Sequence, residues 1–151
     1  MLLIIDGFNL IYKFPELEVC MYENRLQEAR LGLLARVQKY RMKKGNTEVI
    51  AFFDGRKEKG SVVETDDYQG ITIRYSHELK ADVLIKKYVK TCLSRGNVLT
   101  VTSDKDILFH CRKYGIPTNT SEDFAKKMND VILPKTKKTE EKDSNIQLTE
   151  A

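Results

Sequence analysis

Aspartate residues stand at the ends of several predicted strands of this chain. Asp6 follows directly after the first strand, Asp54 follows the second, and Asp104 lies just beyond the fourth. Asp82 opens the helix that comes after the third strand, and Asp106 lies two residues beyond Asp104. In an open parallel sheet these positions all share the carboxyl edge of the strands, where such folds place their sites. The sequence therefore predicts a cluster of carboxylates built from residues that are far apart in the chain.

A cluster of this kind points to a hard metal ion. Convergent carboxylates repel each other and do not all stay ionised unless a positive charge lies among them. The motifs around them contain no histidine or cysteine, so the expected ion is Mg²⁺ or Mn²⁺. Water on such an ion is acidified and can attack a phosphodiester, while a second ion can stabilise the leaving oxygen. The pattern indicates metal-dependent phosphodiester hydrolysis.

Each of these residues also has a purely structural interpretation. Asp82 and Asp104 stand where helix caps or first-turn acids belong. Asp6 and Asp54 each precede a glycine, as in a simple turn. Asn9 can cap the short segment that follows the first strand or hold the neighbouring aspartate in place. An aspartate at four strand ends is nevertheless more than turn chemistry needs.

The aromatic residues close to Asn9 are a separate matter. Phe8, Tyr12 and Phe14 follow the first strand within a few positions. We expect them to be packing residues rather than platforms on which bases stack.

The charge distribution suits a nucleic-acid partner. The 151-residue chain has a formal net charge of +4, and residues 134–151 hold four lysines and four acids, so residues 1–133 carry the whole excess. With the five candidate aspartates set aside as metal ligands, the rest of that body carries +9. A basic surface around a metal-filled acidic pocket fits a phosphate backbone. The basic side chains expected near the pocket and along the backbone are Lys13, Arg56, Lys57 and Lys105.

The predicted elements place the aspartates on an α/β fold. Strands are expected at Leu2–Ile5, Glu48–Phe53, Ile71–Tyr75, Val98–Thr102 and Ile116–Asn119. Helices are expected at Glu23–Lys44, Ala81–Ser94, Lys105–Tyr114 and, capped by Ser121, to about Met128. This alternation predicts a three-layer domain over residues 1–133, with a central, mostly parallel sheet flanked by helices. Residues 134–151 are too polar to order themselves, which predicts a flexible tail.

Composition narrows the class of protein further. No apolar run approaches the roughly 20 residues that span a bilayer, and the N-terminal run has no basic region before it, which argues against a signal peptide. Three widely spaced cysteines without a CxxC pair indicate a reduced, cytoplasmic protein. Neither a GxGxxG nor a GxxxxGK[ST] loop is present, which disfavours nucleotide binding of those types.

Four segments resemble the motifs of NYN domains, in particular the YacP-like group, within the PIN-like nuclease superfamily. The likeness runs in consistent order over residues 1–130. The segments are Leu3–Ile11 with its Asp-Gly-Phe-Asn turn, Phe53-Asp54-Gly55, Ala81-Asp82 followed by Ile85, and Val101-Thr102-Ser103-Asp104 with Asp106.

This resemblance implies a PIN-like, metal-dependent ribonuclease, a type that in bacteria often acts on mRNA or structured RNA. Carried over by position, Asp6, Asp82 and Asp104 are the metal-binding acids, and Asp106 is an auxiliary acid of the same metal site. Asn9 supports Asp6 or contacts a phosphate.

Two further acids have weaker counterparts in the family. Asp54 is expected nearby without binding the metal. The family usually has a polar pair such as Glu-Thr directly before the Ala-Asp pair, where this chain has His77-Glu78-Leu79-Lys80. Glu78 is the candidate substitute.

The sequence leaves three functions open. We expect endonucleolytic cleavage of RNA at a carboxylate-bound Mg²⁺ or Mn²⁺ site. The alternative is a non-catalytic module of the same fold that binds RNA or docks on the ribosome. A DNA flap nuclease or exonuclease is a weaker third possibility.

Overall fold

A computed structural model of the chain describes residues 1–55, 65–77 and 79–133. Its strands are β1 (Leu2–Asp6), β2 (Glu48–Asp54), β3 (Thr65–Tyr68), β4 (Ile71–Ser76), β5 (Val98–Val101) and β6 (Thr118–Asn119). Its helices are α1 (Gly7–Ile11), α2 (Pro15–Tyr22), α3 (Leu26–Lys44), α4 (Ala81–Thr91), α5 (Lys105–Lys113) and α6 (Ser121–Ile132). Within these ranges, no helix is both long enough and apolar enough to cross a membrane.

The described strands form one sheet in the order β3-β4-β2-β1-β5-β6. All neighbouring pairs are parallel except β3 and β4, which are antiparallel. The predicted α/β class with a mostly parallel sheet is confirmed.

Helices cover both faces of this sheet. Leu3 and Ile5 of β1 point into a core formed with α1, α2, α3 and α6. Leu2 and Ile4 point the other way, into a core formed with α4 and α5. Alternate residues of a strand face opposite sides, so burial on both faces explains why β1 is an unbroken apolar run. The predicted three layers are therefore present.

The path of the chain through the sheet creates a crevice at the carboxyl end of β1. From β1 the chain moves outward on one side to β2 and then β4, and it later returns past β1 to β5 and β6 on the other side. The helix after β1 and the helix after β5 pack on opposite faces. Open α/β sheets bind ligands at such a reversal of strand order, outside the carboxyl ends of the strands.

Residue Gly7 lets α1 begin immediately after β1. A Cβ at this position would overlap the Phe53 ring and the Phe52 carbonyl oxygen. Because glycine has no Cβ, α1 can lie close to β2 at the carboxyl edge of the sheet.

The region between β1 and α3 differs from the prediction. The structure has two additional helices there, α1 and α2, and the long helix begins at Leu26 rather than Glu23. Pro15 stands at the start of α2, where its fixed φ and missing N–H are tolerated. Asn24 has a φ of 59°, a left-handed conformation that separates α2 from α3.

Smaller differences occur at the edges of the sheet. The exposed edge strand β3 was not predicted, because its Thr-Asp-Asp-Tyr sequence has low strand propensity. The last helix extends to Ile132, and its N-cap is Thr120 rather than Ser121: the Thr120 hydroxyl accepts a 3.1 Å hydrogen bond from the Asp123 N–H. The expected tail, residues 134–151, lies outside the described residues.

Candidate active site

A pocket of about 330 Å³ opens at the carboxyl edge of the sheet. Four of the five candidate aspartates line it, namely Asp6, Asp54, Asp82 and Asp104. They come from the end of β1, the end of β2, the first turn of α4 and the loop after β5. The structure thus brings side chains that are up to about a hundred positions apart to one place.

Asp6 lies at the centre of this group, at the end of the central strand. The residue is only partly exposed, on the side that faces the pocket. Burial raises the pKa of its carboxyl to about 6, and the charges of Asp104 and Asp82 act in the same direction. The hydrogen bond from Thr102 opposes them without cancelling them. A carboxylate held in this way favours a proton or a cation.

The fully buried Thr102 ties the two central aspartates together. Its hydroxyl donates a 2.8 Å hydrogen bond to Asp6 Oδ2. The Thr102 hydroxyl oxygen in turn accepts a 3.0 Å hydrogen bond from the Asp104 N–H. One hydroxyl therefore fixes the β5–α5 loop against the end of β1.

Asp104 is both a helix cap and a wall of the pocket. Its Oδ1 accepts hydrogen bonds from the Asp106 N–H at 2.8 Å and from the Ile107 N–H at 3.4 Å. The interpretation of Asp104 as a helix cap is thus correct, but it does not account for the whole carboxylate. The cap uses Oδ1, leaves Oδ2 outside these two bonds and holds the carboxylate in place at the pocket.

Asp82 has the least satisfied carboxylate of the group. Its Oδ1 is buried and has no hydrogen-bond partner among the described residues. A buried acceptor without a partner costs free energy, so such an atom calls for an explanation. An ion bound in the pocket would supply one.

The donor set fits a divalent cation held by few protein ligands. No group of three or more His, Cys, Asp or Glu side chains in the described part of the chain is close enough to hold a metal ready-made. Mg²⁺, however, keeps several waters and is usually bound through one or two carboxylates plus substrate phosphates. The unpartnered oxygen of Asp82 and the destabilised charge of Asp6 are both relieved by a cation. Carboxylate oxygens are the hard ligands that Mg²⁺ and Mn²⁺ prefer.

Asn9 connects three elements below the pocket. Its Oδ1 accepts hydrogen bonds from the Ser103 N–H at 2.8 Å and from the Ser121 hydroxyl at 2.6 Å. Asn9 also lines the pocket. The amide carbonyl is thus committed to the loop after β5 and the start of α6, and the Nδ2 group remains as a donor.

The other predicted site residues lie away from the pocket wall. Asp106 is outside the lining and forms an ion pair with Lys86. Lys13 forms a 3.4 Å ion pair with Glu122, and Lys105 begins α5 without lining the pocket. The remaining predicted residues, Arg56, Lys57 and Glu78, lie outside the described residues.

Two contributors to the site were missed at the sequence level. Lys80 is the basic residue among the described side chains of the pocket wall, and it is the N-cap of α4. Its position directly before the Ala81-Asp82 pair was the available signal. Thr102 stands in the motif that ends at Asp104, but the role of its hydroxyl was missed, because that role depends on the register of β1 against β5.

The sequence model of the YacP-like NYN domain matches residues 3–150. The chain belongs to this family. NYN domains are part of the PIN-like nuclease superfamily, so the predicted family is confirmed.

Solved structures agree with this family assignment at the level of the fold. The NYN domain is similar to the crystal structure of Rae1 (YacP) from Bacillus subtilis, with a TM-score of 0.72 and 20% identity, over 99% of this chain and 83% of that one. A crystal structure of a mutant of the same protein gives a TM-score of 0.67 and 20% identity, over 87% of this chain and 76% of that one. No curated protein sequence matches the chain significantly.

Proposed function

We propose that this NYN domain is a metal-dependent endoribonuclease that hydrolyses RNA phosphodiester bonds at the acidic pocket. Two observations at one place carry the proposal. Asp82 Oδ1 has no hydrogen-bond partner in the described part of the chain, and burial and neighbouring charges destabilise the carboxylate of Asp6. A fold needs no such arrangement for its own stability. Membership of a nuclease superfamily supports the same conclusion.

The carboxylates of Asp6, Asp82 and Asp104 would hold Mg²⁺ or Mn²⁺, directly or through water molecules of the ion. When bound, such an ion supplies an acidified water and a positive charge beside the scissile phosphate. Asp106 lies two residues after the N-cap residue Asp104. It belongs to the outer part of the site, where it forms an ion pair with Lys86. Asp54 accepts a 3.3 Å hydrogen bond from the Ser76 hydroxyl and is an auxiliary acid.

The chain's own groups would orient the acids and the RNA. Thr102 fixes the Asp6 carboxylate, and the N-terminus of α5 fixes Asp104. Lys80 on the pocket wall offers a positive charge to a phosphate. Lys13 and Lys105, with Arg56 and Lys57, would carry the RNA backbone beyond the pocket. The proposed substrate is cytoplasmic mRNA or structured RNA.

A non-catalytic module that binds RNA or the ribosome is the second candidate. The observation that favours it is the lack of a ready-made group of three metal-ligating side chains within the described ranges. In that case the aspartates would bind a cation without turnover. Cleavage assays separate the two functions.

The test uses a circular RNA, because a molecule without ends is cut only by an endonuclease. Wild-type protein is incubated with it in Mn²⁺, in Mg²⁺ and in EDTA, beside Asp104→Asn and the control Asp66→Asn on the exposed strand β3. We expect cleavage that requires the metal, persists in Asp66→Asn and is lost in Asp104→Asn. Binding without any metal-dependent cleavage would instead support the adaptor function. A circular DNA of the same sequence tests for a DNA nuclease.

A further inference from the structure

We infer that Tyr12 and Tyr22 form a stacking platform for unpaired RNA bases at the mouth of the acidic pocket. The inference rests on the proposed function, since it places the bases that flank the phosphodiester presented to the aspartates. It assigns a nucleobase-binding subsite to two residues that the catalytic site does not use.

The exposure of the aromatic residues near β1 separates two roles. Phe8 and Phe14 are 7% and 2% exposed and belong to the core, as expected from the sequence. Tyr12 is 38% exposed and Tyr22 is 75% exposed. Tyr12, which follows the end of α1, is therefore not a core residue, although its ring packs on that of Tyr22.

The two exposed rings are in contact with each other. Their centroids are 6.4 Å apart and their planes are inclined by 52°. The Tyr22 hydroxyl donates a 3.1 Å hydrogen bond to Glu18 Oε2, one helical turn earlier, which restricts the ring. A base clamped between two rings needs them parallel and about 7 Å apart, twice the spacing of stacked bases. These inclined rings instead offer outer faces to bases of one strand.

The platform is continuous with the pocket. Tyr12 lines the same depression as Asp6 and Asp104, so a nucleotide whose phosphate enters the pocket brings its base beside this ring. Lys80 on the pocket wall places a positive charge in the same depression as Tyr12, and Lys13 follows Tyr12 directly in sequence. Aromatic faces combined with basic side chains are the usual means of binding single strands without sequence preference. This combination favours an RNA strand over an apolar protein segment as the occupant.

The test is the affinity of a fluorescent single-stranded RNA, measured by anisotropy with Ca²⁺ present and with RNA integrity checked on a gel. The variants are Tyr12→Ala, Tyr12→Phe and Tyr22→Ala, with Phe109→Ala as the matched control. Phe109 is a 64% exposed aromatic residue of α5 that lies outside the pocket. Thermal melts establish that each variant is folded.

Tyr12→Ala should weaken binding by about 5- to 150-fold, the range for losing one stacked base. Tyr12→Phe should bind as the wild type does, Tyr22→Ala should lose less than Tyr12→Ala, and Phe109→Ala should lose nothing. The slope of log affinity against log salt should not change, because stacking releases no counterions. Duplex RNA should bind all variants equally, since its bases are already stacked.

A second RNA with abasic sites at consecutive positions completes the test. It should bind the wild type as weakly as intact RNA binds the double variant Tyr12→Ala/Tyr22→Ala, and the double variant should lose nothing further on it. Wild-type affinity of Tyr12→Ala, an equal loss in Tyr12→Phe, or a loss accompanied by a smaller salt slope would each overturn the platform. Those results leave cleavage by the wild type intact, whereas tyrosine-dependent binding without cleavage would sustain the platform and overturn the nuclease.

Discussion

Two depressions at opposite edges of the sheet show what distinguishes a site from a surface hollow. The carboxyl-edge pocket has about 330 Å³, while a depression at the amino edge has about 420 Å³. The amino-edge depression is lined by Met1, Arg41, Met42, Gly45, Asn46, Thr47 and Glu48. The larger hollow thus lies where parallel sheets do not place ligands.

The charged side chains of the amino-edge depression have partners within the protein. Arg41 donates a 2.8 Å hydrogen bond from Nε to the Thr47 carbonyl and a 3.1 Å bond to Gln38. Glu48 forms an ion pair with Arg95. At the carboxyl edge, by contrast, like charges converge and Asp82 Oδ1 has no partner among the described residues. Converging like charges and a buried acceptor without a partner, and not volume, indicate where a ligand binds.

The largest expected difference between the two edges is in activity. Asp82→Asn should lower metal-dependent RNA cleavage by more than about 100-fold, because it removes a charge from the metal site with little change in volume. Glu48→Gln, an acid-to-amide change at the amino edge, should leave cleavage unchanged. Rates on a labelled RNA decide between these outcomes. Full activity of Asp82→Asn in Mg²⁺ would remove it from the proposed ligand set.

The next difference is in the pH dependence of stability without metal. The folded-state pKa of Asp6 is about 6, against an ordinary value of 3.8, so folded protein binds this proton more tightly than unfolded chain. The stabilisation is complete below about pH 4 and is lost as pH rises through 6. Asp6→Asn should therefore be more stable than the wild type at pH 8 by about 1–3 kcal/mol, with the gain vanishing near pH 4.

Urea denaturation in EDTA at pH 4, 6 and 8 measures this difference. Glu48→Gln serves as the control and should show no comparable gain at high pH. A difference between Asp6→Asn and the wild type that is the same at all three pH values would contradict the raised pKa.

Metal binding should produce a smaller effect, confined to the carboxyl edge. An ion that binds the folded pocket and not the unfolded chain stabilises the fold by about 1.4 kcal/mol at ten times its dissociation constant. For this chain length the melting temperature should rise by roughly 3–6 °C. Asp104→Asn should lose most of the rise and keep its helix cap, since asparagine caps equally well.

Thermal melts with EDTA, Mg²⁺ and Mn²⁺ test the metal effect. Glu48→Gln should respond to the ions as the wild type does. The absence of any shift in the wild type at millimolar ion would count against a metal at this edge.

The smallest expected effect concerns the basic side chains. Lys80→Ala should reduce the salt slope of RNA binding by about one unit, as expected for one lost phosphate contact. Lys44→Ala, at the end of α3 on the amino edge, should not change the slope. Lys105→Ala tests whether the RNA path extends along α5. Equal slopes for Lys80→Ala and the wild type would place the backbone elsewhere.

The sequence predicts the strands of this fold better than its helices. β1 and β2 are buried on both faces, so continuous apolar runs mark them within one residue of their observed ends. The helices α1 and α2 are short and lack strong periodicity, and tertiary packing holds them in place: α1 packs on β1, β2 and α3, and α2 packs on α3.

The candidate site was predictable only as a set of positions. The strand ends fixed which aspartates share an edge, because the carboxyl ends of parallel strands necessarily lie together. Side-chain contacts such as the Lys86 ion pair of Asp106 were not predictable, since they depend on the packing of α4 against α5. The exposure of Tyr12 depends in the same way on where α1 ends.

The Thr102–Asp6 hydrogen bond joins residues 96 positions apart, and the Asn9–Ser121 bond joins residues 112 positions apart. The pocket is therefore among the last features that a growing chain can complete. Domains are synthesised from the N-terminus at about 5–20 residues per second, so Asp6 exists for several seconds before the strand that supports it. During that interval the chain carries its first aspartate without the hydroxyl that orients it. The pocket and the finished fold must arise together.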